Sequence, residues 1–168
     1  MIRNTTKLQK LCWLLLICYL IGLVYFTFFA EALGRRIAPN EAVARFNLVP
    51  FREIRRFWRY REQLGLSAFL LNVFGNAAVF VPCGFLLPAV SRRCRNWLGV
   101  CLVVFCISFL IECTQLAFRV GSFDIDDLML NTLGGMLGFG LNRLIQMRRL
   151  KRKREAARRK VRIRKLEL

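Results

Sequence analysis

The sequence predicts an all-α polytopic membrane protein: a four-transmembrane-helix bundle with an amphipathic interfacial helix between spans 1 and 2 and a basic C-terminal tail. Three observations point there. The chain of 168 residues is 56% hydrophobic yet carries 28 Lys and Arg against 10 Asp and Glu, a formal charge of +18. A soluble domain rarely combines those extremes, because the apolar residues need burial and the surplus charge repels itself in a compact fold. The two populations are also segregated along the chain, in long uncharged runs separated by cationic segments.

The first uncharged run covers residues 11–30, and 20 residues at 1.5 Å each cross a hydrocarbon layer of about 30 Å. Arg3, Lys7 and Lys10 precede it and Ala30-Glu31-Ala32 follows, but the run is too long and too rich in Phe for a cleaved secretory signal, so it is expected to stay as a span. The second run, residues 64–90, is broken by Pro82 and Pro88. The third, 97–118, holds the single charge Glu112. The fourth, 127–147, is the weakest, with Arg143 near enough to one end to snorkel to the headgroups. Residues 1–10, 11–147 and 148–168 are thus expected to form a cytoplasmic N-terminal segment, the membrane domain and a basic cytoplasmic tail.

Lys and Arg set the orientation. With both termini inside, the cytoplasmic side receives 18 of them and the outside 9, Arg119 among the latter. Between spans 1 and 2, Ile54, Phe57, Trp58 and Leu64 recur at near-helical spacing among Arg52, Arg55, Arg56, Arg59 and Arg61, the pattern of a helix in the headgroup plane. It reads either as a plain surface helix or as a docking strip for an anionic envelope lipid. The tail from Arg148 onward is almost wholly cationic and lacks aromatic residues for base stacking, so it is expected to adhere to anionic lipid rather than nucleic acid.

Histidine is absent, which removes Ser-His-Asp triads, Cys-His pairs and His-ligated metal sites. The seven cysteines never fall as CxxC and read as small packing residues. Chemistry must then rest on carboxylates, amides and Arg. A carboxylate deep in hydrocarbon costs about 2.5–3.5 kcal/mol on insertion scales, so its presence asks for a partner or a function. Ser108, Glu112, Gln115 and Arg119 share one helical face of span 3. Span 4 opens with Asp124, Asp126, Asp127 and Asn131, followed by Gly134 and Gly138, a small-xxx-small pair that admits a close neighbour. Asp124 or Asp126 could cap that helix. Span 2 adds Asn72 and Asn76, one turn apart, with Pro82 and Gly84 loosening the helix beyond them. In the proposed topology all these groups meet at one depth, open to the extracytoplasmic side.

At these residues the sequence resembles the VanZ-like family of small bacterial membrane proteins. The resembling pieces are Asn47-Leu48-Val49-Pro50-Phe51, Asn72-Val73-Phe74-Gly75-Asn76 through Phe80, Pro82 and Gly84-Phe85, then Glu112-x-x-Gln115, and Asp124-Ile125-Asp126-Asp127 with Asn131 and Gly134, in the family's order over residues 47 to 138. The resemblance implies a four-span helical protein of the bacterial plasma membrane and, from the founding member, low-level resistance to the lipoglycopeptide teicoplanin. It brings no defined reaction, and the long cationic tail lies outside the family pattern.

Two readings of the polar residues follow. In the first, a cleft binds or modifies an envelope lipid or lipid-linked precursor. Glu112 and Asp127 are the candidate acid and base, Arg119 holds a phosphate or carboxylate, Asn72, Asn76, Gln115 and Asn131 orient sugar or amide groups, and Asp124 and Asp126 join them as substrate-binding residues. No cofactor is implied. The three Asp could alternatively take Mg²⁺, but no metal is assigned. In the second, the cluster only fixes helix packing in a structural or chaperone-like membrane subunit.

Overall fold

The computed structural model describes residues 7–29, 46–118 and 121–166. Its secondary structure is almost wholly helical: α1 (Lys7–Phe29), α2 (Arg52–Arg59), α3 (Arg61–Leu64), α4 (Leu66–Val90), α5 (Trp97–Ala117) and α6 (Ile125–Leu166), with two-residue strands β1 (Phe46–Asn47) and β2 (Phe123–Asp124). Among the described residues, three helical stretches, Lys7–Tyr25, Phe69–Val90 and Trp97–Ala117, are long and apolar enough to cross a membrane.

The bundle is built around the α4–α6 pair, which runs parallel. Ala77 faces Gly134, Val81 faces Gly138, and further along Asn142 Nδ2 donates to the Phe85 carbonyl at 2.8 Å. The small residues of α6 make this approach possible. A Cβ on Gly134 would lie 1.8 Å from the Ala77 carbonyl oxygen, and one on Gly138 would lie 2.0 Å from that of Val81. Gly84 of α4 answers in kind, since its Cβ would fall 1.8 Å from the Gly135 carbonyl. Pro82 and Pro88 both sit inside α4, which continues through them as one helix.

The helix α5 runs antiparallel to α6 and buries Val100, Val104, Ser108 and Glu112, a stripe at four-residue spacing that holds as many polar as apolar residues. Its outward face carries Leu98, Leu102, Phe105 and Phe109, all exposed. That inversion, with large apolar groups outside and a carboxylate inside, is the arrangement a lipid solvent favours. On α6 the exposed face is likewise apolar, with Leu133, Leu137, Leu141 and Leu144 in one stripe. Leu16 and Leu23 of α1 join the core, and Tyr19 Oη donates to the Val79 carbonyl at 2.9 Å.

Three boundaries differ from the sequence reading. The segment expected to form one interfacial helix is two helices, because the chain breaks at Tyr60 and turns again at Gly65, whose φ of 83° suits glycine. α6 begins at Ile125 and shows no break near residue 147, so the basic segment continues the same helix. Lacking Gly or Pro beyond Gly140, this stretch of Arg, Lys, Ala, Glu and Leu has nothing to end it. Arg143 turns back to the loop between α4 and α5, where its Nη2 donates to the Arg95 carbonyl at 3.2 Å.

Candidate functional site

The acids and amides gather at the end of the bundle where α4 and α6 begin and α5 finishes. The chain reaches that end through β1, which pairs in parallel with β2 in the register Phe46 to Phe123 and Asn47 to Asp124. Asn47 Nδ2 donates to Asp124 Oδ1 at 3.0 Å, and the same oxygen accepts the backbone N–H of Asp126 at 2.8 Å. Asp124 therefore caps α6 from the position just before its first residue. The backbone N–H of Asp124 in turn donates to Glu112 Oε2 at 3.0 Å, which ties the end of α5 to the start of α6.

Asp126 takes a different target. Its two carboxylate oxygens accept the backbone N–H groups of Phe51, Glu53 (2.9 Å) and Ile54 (3.3 Å), the open amides at the start of α2. No side chain within that segment caps α2, so a carboxylate more than seventy residues away does so. The local chain is shaped for it. Val49 to Arg52 forms a turn closed by Arg52 N–H to the Val49 carbonyl, with Pro50 at the second position and Phe51 at φ 64° in the third. A left-handed Phe is unfavourable on its own, and the bond from its N–H to Asp126 helps hold it.

Two further pairs link the long helices. Asn76 Nδ2 donates to Asp127 Oδ1, joining α4 to α6, and Asn131 Nδ2 donates to Ser108 Oγ at 2.9 Å, joining α6 to α5. Glu112, Asp124, Asp126 and Asn131 are all buried, Asp126 with 1% of its surface exposed. Asp127 and Asn76 are half-buried. Asn72 and Gln115 are half-buried too and make no side-chain hydrogen bond with the other described residues. Arg119 lies outside the described residues. Among the described residues no group of three or more acids or cysteines is arranged to hold a metal ion, and the described cysteines are free thiols.

Burial raises the Asp124 carboxyl above the ordinary carboxylate range. The Asp126 N–H bond pulls it back, the Asp126 charge raises it again, and the Asn47 amide and the more distant Arg56 lower it. Glu53 is raised as well, by burial first, against Arg56 at 2.8 Å and with the two aspartates adding to the effect.

Asn47 is the residue the sequence left without a role. It is buried, and its Oδ1 has no hydrogen-bond donor among the described residues. Reversing the amide would not help, because the facing Asp124 carboxylate needs the donor. The available signal was the Asn47-to-Phe51 segment, one of the pieces that carry the family resemblance together with the acid motif, although 77 residues separate Asn47 from Asp124.

A family model described as VanZ/LLP1 matches residues 16–146. Protein VanZ of Enterococcus faecium is similar at 30% identity over 127 residues, which cover 76% of this chain and 70% of that relative. No solved structure matches.

Proposed function

The chain belongs to the VanZ-like family, and from that premise we propose that it binds the polar headgroup of an envelope lipid or lipid-linked precursor at the acid and amide end of its bundle. The observation that carries this reading is the buried Asn47 Oδ1 with no donor among the described residues, set among four carboxylates. A buried acceptor without a partner costs free energy, and such groups concentrate at working sites. Acceptors outnumber donors here, which suits a ligand rich in hydroxyl or amide N–H groups, as a sugar or peptide headgroup is.

In this reading the bundle has four spans, the fourth being the first part of α6. Its support is the parallel contact with α4 from Asp127 to Asn142, which sets α6 beside a helix of spanning length, and its exposed leucine stripe. α2 lies in the interface. Both termini face the cytoplasm of a bacterial plasma membrane, and the polar end faces outward. Glu112 and Asp127 are the groups for proton transfer should the headgroup be modified. Asn72, Asn76, Gln115 and Asn131 orient it, and Arg119 offers a cation to its anionic part. Asp124 and Asp126 serve by fixing the two helix starts.

A specific observation favours a second reading, that of a non-catalytic subunit. Asp126 is filled by three backbone N–H groups, and Asp124, Glu112 and Asn131 also have partners within the chain. Glu112→Gln separates the two. Lipid analysis of cells lacking the protein, or carrying wild type or the variant, is expected to show the variant present at normal abundance with the lipid profile of the deletion. Teicoplanin susceptibility, the phenotype the family resemblance suggests, should follow. If activity falls only in proportion to abundance, the cluster is packing and the binding reading fails.

A further inference from the structure

A groove on α2 lies beside the acid cluster and touches it only through the Ile54 N–H, which donates to Asp126. Ile54, Arg55, Trp58, Arg59, Arg61 and Phe69 line an open groove of about 580 Å³ between α2, α3 and the start of α4. That volume is within the range of small-molecule sites, roughly 300–1,000 Å³. Its floor is aromatic: Trp58 and Phe69 meet edge to face with centroids 5.4 Å apart. Its rim is cationic. The Arg61 guanidinium lies 4.6 Å over the Trp58 ring and donates to the Trp58 carbonyl at 3.0 Å, so it is held in place.

Arg55 and Arg59 are the telling pair. They stand four residues apart on one face of α2, both exposed, and make no ion pair among the described residues. The nearby acids are engaged elsewhere, Glu53 with Arg56 at 2.8 Å and Glu62 with Arg61 at 3.5 Å. Like charges at this spacing repel, and a bridging anion would turn that repulsion into a paired contact. The acid cluster cannot serve such an anion well, since four carboxylates line it.

The level of the groove identifies the anion. Phe69 lies in the first turn of α4, a helix apolar enough to cross a membrane, and the charged Arg61 and Glu62 of α3 come shortly before it, so the aromatic floor sits at the level where hydrocarbon would give way to headgroups. Leu66 and Leu70 beside it are exposed and apolar. We propose that this groove binds one anionic glycerophospholipid, with its phosphate between Arg55 and Arg59 and its acyl chains along Phe69 and the outer face of α4. A free phosphate would use the arginines and leave the aromatic floor uncovered.

The test is native mass spectrometry of the full chain in detergent, titrated with equal amounts of phosphatidylglycerol and phosphatidylcholine of the same chain length. Wild type is expected to retain phosphatidylglycerol preferentially. Arg55→Gln with Arg59→Gln should lower that preference roughly tenfold or more, the scale for two cationic side chains at an anionic leaflet. Arg152→Gln with Arg154→Gln, which removes the same charge from the far end of α6, should leave it unchanged, as should millimolar inorganic phosphate. Arg55→Lys with Arg59→Lys keeps the charge and should retain most of it, which guards against a folding defect in the Gln pair. An unchanged preference in the Gln pair, an equal loss in the α6 pair, or full competition by inorganic phosphate would each overturn the proposal. A loss of preference confined to Glu112→Gln would place lipid selection in the acid cluster and overturn the proposal.

Discussion

Removing the Asp126 carboxylate should free the start of α2 while leaving the α4–α6 core in place. In the folded chain its oxygens accept three backbone N–H groups, and its side chain is almost wholly buried. Hydrogen bonds to a charged group contribute about 1.5–3 kcal/mol each, and loss of a helix cap costs about 0.5–2 kcal/mol. The three bonds share one carboxylate, and the freed amides can turn to water once α2 lifts, so the effects do not add in full. A local loss of about 3 kcal/mol for Asp126→Ala is the reasonable scale, and at 1.4 kcal/mol per decade it speeds local opening roughly 100-fold. Asp126→Asn keeps one acceptor oxygen and should fall near tenfold. Hydrogen exchange by mass spectrometry in detergent reads this directly: peptides containing Phe51, Glu53 and Ile54 should exchange faster, and those covering Val79 to Leu87 should not. Unchanged exchange at the start of α2 in Asp126→Ala would refute the assignment of this carboxylate as the cap of α2.

Other outcomes follow from individual contacts. Gly134→Ala places a methyl against the Ala77 carbonyl, backbone against side chain with no rotamer to relieve it, and should cost about 1–3 kcal/mol in a detergent melt; Gly22→Ala, with open space around it, should not destabilise. Because burial raises Asp124 in the folded chain, the folded state holds that proton more tightly than the unfolded one, so stability is lost as pH rises from the ordinary carboxylate range through the raised value. Melting wild type beside Asp124→Asn across that window should show a steeper pH dependence in wild type than in the variant, which keeps the like-signed contribution of Glu53. Tyr19→Phe removes the bond from α1 to the Val79 carbonyl and should lower the melting midpoint by the equivalent of about 0.5–1.5 kcal/mol.

The long apolar runs were legible because a membrane solvent writes its demand in consecutive residues, and α4 and α5 match their runs to within two residues. The meeting of Glu112, Asn76, Asn131 and the Asp124-to-Asp127 segment was legible too, since depth and helical spacing are local properties. What spacing could not decide was the division of labour between Asp124 and Asp126. Two residues on a helix differ by about 200°, so the side chains point to opposite sides, and only one can serve its own helix. Asp124 does so, while Asp126 finds α2 through a closure of the chain that no local pattern records. The span read at residues 127–147 did not record how far α6 runs, for another reason. The change from apolar to basic at residue 148 marks a change of surroundings, which the backbone hydrogen bonds of a helix do not need to respect.

The use of a buried carboxylate to mount α2 has a physical logic. α2 fully buries none of its residues, so packing such as the Trp58–Phe69 contact holds its direction only weakly. In the proposed placement of α2 at a membrane boundary, apolar contact would be a poor substitute, because lipid chains would solvate Trp58 and Phe57 about as well as a protein surface does. Directional bonds to the backbone remain. They fix the rotation of the helix as well as its position, since each N–H must point at Asp126. The facing of Arg55 and Arg59 is therefore set from α6, and a substitution at Asp126 should act on the groove through the Ile54 N–H, with no contact to either arginine side chain.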